Sequence, residues 1–303
     1  MTRPLKIGIQ LPEVERLVRW AELREMVLLA ERIGLDSIWV GDHLLYRDDG
    51  KPARGPWEVW SILAALAAVT ERVEIGPLVA STSFHNPAML AKKAATIDEI
   101  SGGRLILGLG AGWNRPDYDA YGFPYDHRVS RFEEAFTIIR ELLATGRSDF
   151  HGTYYALDRG ELLPRGPRPA GPPLLIGSTG ERMLAITLPY VAAWNAWGPS
   201  FGNSLEAYLP LREQVDDACL KADRAPADVE RTLALVVAFA GALGRGSAIA
   251  EEPFEPIAGD AATLAPTLRA FAEAGVSHVQ LVLDPITLES IAALEPTLAA
   301  LNG

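Results

Sequence analysis

Thr232-Leu-Ala-Leu-Val-Val-Ala-Phe-Ala240 is apolar almost from end to end. A half-exposed strand alternates polar and apolar side chains, so a nearly continuous apolar run is expected when protein covers both faces of the strand. Shorter runs of the same kind recur on either side, at Leu5 to Leu11, Ser37 to Gly41, Val73 to Ala80, Leu105 to Leu109, Leu174 to Gly177, Val191 to Trp197 and Val276 to Leu283. Helical patterns separate them. Leu23, Val27 and Ala30 form a stripe stopped by Gly34, and Trp57 to Thr70 reads as a surface crossover helix. A further helix opens at Pro87 and closes at Gly102-Gly103, and the stripe Phe132, Phe136, Ile139 and Leu143 stops at Gly146. Glu181 to Thr187, Ser204 to Lys221, Ala261 to Ala274 and Ile286 to Leu301 complete the series, with Pro210 and Pro266 expected to kink, delay or interrupt their helices. Eight strands, each followed by a helix, predict an α/β fold of the (β/α)8 TIM-barrel type with loop insertions, a single domain over residues 1–303. The alternative is an open doubly wound sheet. Gly108, Gly110 and Gly112 supply part of its glycine-rich turn, but the turn does not follow the first strand and lacks a well-placed ribose-binding acid.

At 303 residues, with 49% apolar and 22% charged, the composition is that of a soluble globular protein, and no apolar stretch is long enough to span a membrane. A net charge of −11 opposes nucleic acid and anionic membranes as partners, leaving small molecules. The single cysteine, Cys219, excludes an intramolecular disulfide and reads as a packing residue. No His, Asp and Glu spacing forms a metal site. Met1 to Lys6 runs into a strand without an export signal, so a cytoplasmic location is expected.

In a barrel, segments that follow strands carry the chemistry; here these are residues 12–16, 42–56, 81–86, 111–129, 178–180, 198–203 and 241–259. His43 emerges just after the second strand beside Asp42, which reads as a general base with a carboxylate to raise its basicity or orient its neighbours. A capping Asp42 with a surface imidazole is the structural alternative. His85, before Asn86-Pro87, reads as shaping a helix start; His127 and His151 read as exposed. Gly177-Ser178-Thr179-Gly180, between a strand and a helix, lets backbone N–H groups approach a phosphate, or is an ordinary turn. Trp113, Asn114 and Tyr118 after the Gly110-Ala111-Gly112 turn, and Trp194, Asn195 and Trp197, suit a planar ring system or simply the core. Ala64, Ala65, Ala67 and Ala68 suit packing against a second copy in a homodimer as well as against the barrel itself.

Together, the stretch Gly34-Leu-Asp-Ser-Ile-Trp-Val-Gly-Asp-His43, Asn86-Pro87-Ala88-Met89-Leu90-Ala91-Lys92, Ser101-Gly102-Gly103-Arg104, Gly108-Leu109-Gly110-Ala111-Gly112-Trp113 and Arg131-Phe132-Glu133-Glu134 resemble the bacterial luciferase-like family of flavin and deazaflavin oxidoreductases. The resemblance implies a (β/α)8 barrel with the cofactor across the strand C-terminal ends, and a non-prolyl cis peptide near Pro77 to Val79. Within the family the chain looks most like the branch using coenzyme F420, with FMN as the alternative cofactor. It implies hydride transfer between the deazaflavin and a small organic substrate (an alcohol or ketone, or an activated alkene), with His43 as the base on a substrate hydroxyl. Asp42, Gly110, Trp113, Gly177, Ser178, Thr179 and Gly180 are the implied cofactor contacts. The other readings are an FMN-dependent monooxygenase using reduced flavin and oxygen, and a non-catalytic cofactor-binding relative. Trp113 stands where sugar-phosphate dehydrogenases of the family carry Glu, which speaks against that substrate, and Gly177-Ser178 replaces a common Gly pair.

Overall fold

The computed structural model describes residues 3–47, 50–245 and 253–302, so residues 246–252 of the expected active-face segment 241–259 lie outside the described residues. The chain opens with β1 (Lys6–Gln10), α1 (Trp20–Arg32), β2 (Ser37–Val40), α2 (Val59–Val69), β3 (Glu74–Pro77), β4 (Ala80–Ser81), α3 (Pro87–Ile100) and β5 (Leu107–Gly110). Next come α4 (Arg115–Tyr121), α5 (Arg128–Thr145), β6 (Arg147–His151), β7 (Ala156–Glu161), β8 (Leu174–Gly177), α6 (Glu181–Thr187), β9 (Ala193–Trp197) and α7 (Leu205–Lys221). The chain closes with β10 (Glu230–Ala238), β11 (Ile257–Ala258), α8 (Ala261–Glu273), β12 (Val276–Asp284), α9 (Leu288–Ala292) and α10 (Glu295–Asn302). Two compact units result, one from Met1–Trp39 with Gly177–Gly303 and the other from Val40–Ile176.

In the first unit the parallel ladder runs β2, β1, β12, β10, β9, with Ile9 opposite both Ile38 and Leu281. Leu233, Leu235 and Val237 of β10 are fully buried, and so are their neighbours Val279, Leu281 and Leu283, as the apolar run at 232–240 requires. Polar residues join the strands on one face: Asn195 donates to Thr232 Oγ1 and to Gln280 Oε1, both at 2.8 Å.

In the second unit β4, β5 and β8 pair in parallel, and a parallel bridge between Ile75 and Leu105 ties β3 to the chain that leads into β5. The expected third strand is divided into β3 and β4, with a cis peptide between Leu78 and Val79, the place the resemblance implies. Gly108 must be glycine because a Cβ there would lie 2.2 Å from the Pro77 carbonyl oxygen. Asn86 caps α3 by accepting from Ala88 N (3.0 Å) and Met89 N (3.1 Å), with Pro87 in the first turn.

Three expectations need correction. Pro210 and Pro266 neither delay nor interrupt α7 and α8, which run through them. Each lies on the exposed side, as does the residue four before it, Glu206 or Ala262, so water can satisfy the carbonyl that loses its N–H partner. The closing helix expected over 286–301 is instead two, because Pro296 suits only the first turn of a new helix. Finally, the eight expected strands omit β6 and β7, which form an antiparallel hairpin.

Candidate functional site

His43 stands just beyond β2, and the carboxylate that meets it is Asp117, not the adjacent Asp42. The His43 Nδ1 to Asp117 Oδ2 distance is 2.9 Å. Asp117 comes from the first turn of α4, and its side chain is completely buried. Its second oxygen, Oδ1, accepts from two successive backbone donors, Leu44 N at 3.1 Å and Leu45 N at 2.7 Å. One carboxylate therefore fixes both the imidazole and the turn that carries it. Burial pushes the Asp117 carboxyl upward, but the hydrogen bond and charge of His43, Leu45 N–H and the Asn114 side chain outweigh it and hold the group below its ordinary range. Asn114 also donates to Leu45 O at 2.9 Å, a second tie on the same turn.

Asp42 is directed elsewhere, since neighbouring residues at a strand end project to different sides. Its buried carboxylate accepts from Ser81 N at 2.9 Å and lies 3.3 Å from His85 Nε2. That nitrogen is also 3.1 Å from Trp60 Nε1, so His85 joins α2 to the β4 region rather than capping α3, a task done by Asn86. His127 and His151 are exposed, as expected.

The rings around His43 are Trp113, at 5.4 Å and edge-on, and Tyr46 at 4.9 Å. Trp113 is half-exposed and offers an indole surface beside the imidazole. Gly110 ends β5, and two residues on Gly112 has φ +75°, where a Cβ would lie 2.1 Å from Tyr118 Oη. Tyr118 itself is buried and donates to Ala111 O at 2.8 Å, so it braces the turn from behind.

The other predicted cofactor contacts, Gly177 to Gly180, lie in the first unit. Trp194 is wholly buried and donates from Nε1 to Ser178 O at 2.7 Å, while Gln214 donates to Thr179 O at 3.2 Å. Trp194 and Asn195 are thus structural, one holding the turn and the other bridging strands. Thr179 and Gly180 are exposed. Gly180 has φ −68° and ψ 133°, and a Cβ on it would find nothing nearer than Ser178 Oγ at 4.0 Å. The fold does not need glycine there, while an approaching anion would make use of its bare backbone.

Asp117 was missed in the sequence. It lies three residues after Asn114, the spacing of an N-cap and its reciprocal acid, which points to a helix cap. Asn114 makes no side-chain cap, and the acid is spent on His43 instead. Its only sequence signal is its place in the first turn of a helix on the expected active face.

The sequence profile of the luciferase-like monooxygenase family matches residues 6–267. An F420-dependent glucose-6-phosphate dehydrogenase of Amycolatopsis mediterranei is 33% identical over 226 residues, 72% of this chain and 65% of that protein. A pyrimidine monooxygenase RutA of Enterobacter cloacae is 33% identical over 173 residues, 55% of this chain and 46% of that protein. The chain's match thus spans less than two thirds of either relative. Among solved structures, an F420-dependent secondary alcohol dehydrogenase in complex with an F420–acetone adduct superposes with a TM-score of 0.78 at 20% identity, covering 98% of this chain and 99% of that one. At that identity the likeness establishes the fold, and it is the expected luciferase-like (β/α)8 barrel. Among the described residues no helix is long and apolar enough to cross a membrane.

Proposed function

Because the chain belongs to the luciferase-like monooxygenase family, we propose that it is an F420-dependent oxidoreductase acting on a small organic substrate, an alcohol or ketone or an activated alkene. The observation that carries this reading is the His43–Asp117 pair, an imidazole oriented by a buried carboxylate in the segment after β2. Oxidation of an alcohol to a ketone releases a hydride and a proton. Bound F420 supplies the hydride acceptor, or the donor in the reverse direction. His43 takes the hydroxyl proton through Nε2 and returns it when a ketone is reduced. Trp113 provides an apolar ring surface, and its place where a Glu is expected in sugar-phosphate dehydrogenases argues for a substrate other than a sugar phosphate.

Gly177 to Gly180 is the proposed phosphate contact, supported by the exposed, unobstructed backbone at Gly180. Gly180→Val tests it separately from the chemistry. The β-region backbone at Gly180 accepts valine, so the unfolding free energy should fall by no more than about 1 kcal/mol, the scale of an N-cap substitution, while cofactor affinity falls at least about tenfold. Unchanged affinity would remove this turn from the cofactor contacts.

The second reading, an FMN-dependent monooxygenase, is supported by the pyrimidine monooxygenase relative. Parallel fluorescence titrations of the purified chain with F420 and with FMN separate the two. Saturable binding of F420 is expected; saturation by FMN alone would replace the proposed reaction with monooxygenation.

A further inference from the structure

We infer that Asp117 is a positioning residue that fixes His43 as the Nδ1–H tautomer and so reserves Nε2 as the proton-accepting edge of the ring. The inference deepens the proposed function and rests on its choice of His43 as the base. Three observations lead to it. Asp117 Oδ2 lies 2.9 Å from His43 Nδ1, and an ionised carboxylate can only accept, so the proton between them belongs to the imidazole. The carboxylate is buried, and the donors that meet it include the ring N–H and the backbone N–H groups of Leu44 and Leu45. The two backbone donors both take Oδ1, which leaves Oδ2 for His43.

This division of the two oxygens makes Asp117→Asn an informative substitution. An asparagine at 117 must keep its single carbonyl oxygen toward Leu44 N and Leu45 N, since the reverse orientation would set its NH2 against two part-buried N–H groups. Its NH2 then faces His43 Nδ1, which must accept rather than donate. The ring proton moves to Nε2, and the nitrogen proposed as the base becomes a donor. The change is nearly isosteric and keeps both ties on the turn. A purely structural role for Asp117 would therefore leave the tautomer where it was.

The experiment is long-range 1H–15N correlation spectroscopy of the histidine-labelled chain without cofactor, at about pH 8.5, above the ordinary imidazole range near 6.5. The His43 signals are identified by their loss in His43→Gln. The expected result is a protonated Nδ1 in the wild-type chain and a protonated Nε2 in Asp117→Asn. The same tautomer in both proteins would overturn the inference. So would a protonated Nε2 in the wild-type chain, a result that needs no variant to fold. Turnover of F420 with a secondary alcohol, measured on the same samples, separates this inference from the one beneath it. A reversed tautomer with a loss of about a hundredfold or more in kcat supports both. A reversed tautomer with undiminished turnover upholds the role of Asp117 and removes His43 as the base.

Discussion

Among the described residues, His43 and His278 each meet a polar side chain within hydrogen-bond distance, and those partners differ. His43, after β2, meets the Asp117 carboxylate in the second unit; His278, near the start of β12, meets the Ser37 hydroxyl in the first, with Nε2 to Oγ at 2.7 Å. Ser37 Oγ also accepts from Trp39 Nε1 at 2.7 Å. Burial, with the neighbouring Lys6 charge adding to it, pushes the His278 imidazole down to about 3, so it stays neutral through the physiological range. The imidazole at 278 is a hydrogen-bonding strut sealed among strands. At 43 it has a full negative charge on one edge and partial exposure, the environment suited to exchanging a proton. The partner and the access to solvent, rather than the residue type, divide structural from chemical histidine.

The largest effect expected at the sealed site is from Ser37→Ala. Removing the hydroxyl leaves Trp39 Nε1–H and His278 Nε2 buried without their shared partner, a cost of roughly 3 kcal/mol from two orphaned groups. Urea unfolding should show it as a lowered midpoint with an unchanged slope; a change within about 0.5 kcal/mol, the scatter of surface substitutions, would mean that the site relaxes or hydrates. A smaller and more graded effect is the pH dependence that His278 brings. Its folded-state value lies below the ordinary imidazole value, so the unfolded chain binds a proton that the folded chain refuses. Its contribution to stability is complete above about pH 6.5 and is lost as the pH falls toward 3, at up to about 1.4 kcal/mol per pH unit. His278→Gln should flatten the stability curve between about pH 6 and 5, the upper part of the window that His278 opens. An equally steep curve in that variant would assign the slope to other groups and weaken the contrast between the two histidines.

Much of the fold was legible because the eight expected strands (β1, β2, β3 with β4, β5, β8, β9, β10 and β12) are apolar runs closed by recognisable turn and cap residues. Asn86-Pro87 and Gly146 mark helix ends in the sequence and do so in the structure. The β6–β7 hairpin escaped because its residues are mostly polar and exposed, with little apolar alternation to read. Pro210 and Pro266 misled because a missing N–H breaks a helix only where water cannot replace it. At the site, His43 and Trp113 were legible from their positions after strands and do meet. Asp117 was not, since a contact 74 residues apart leaves no local pattern and the nearby Asn114 offered a simpler explanation.

His43 is proposed to move the proton in an F420-linked oxidation. The most direct test of that role compares wild type and His43→Asn for F420 reduction by a panel of secondary alcohols, with F420 affinity measured by fluorescence on the same preparations. The expected result is a kcat lower by about a hundredfold or more, with F420 affinity within about twofold of the wild-type value. Full turnover by His43→Asn on any alcohol that the wild-type chain oxidises would contradict that role.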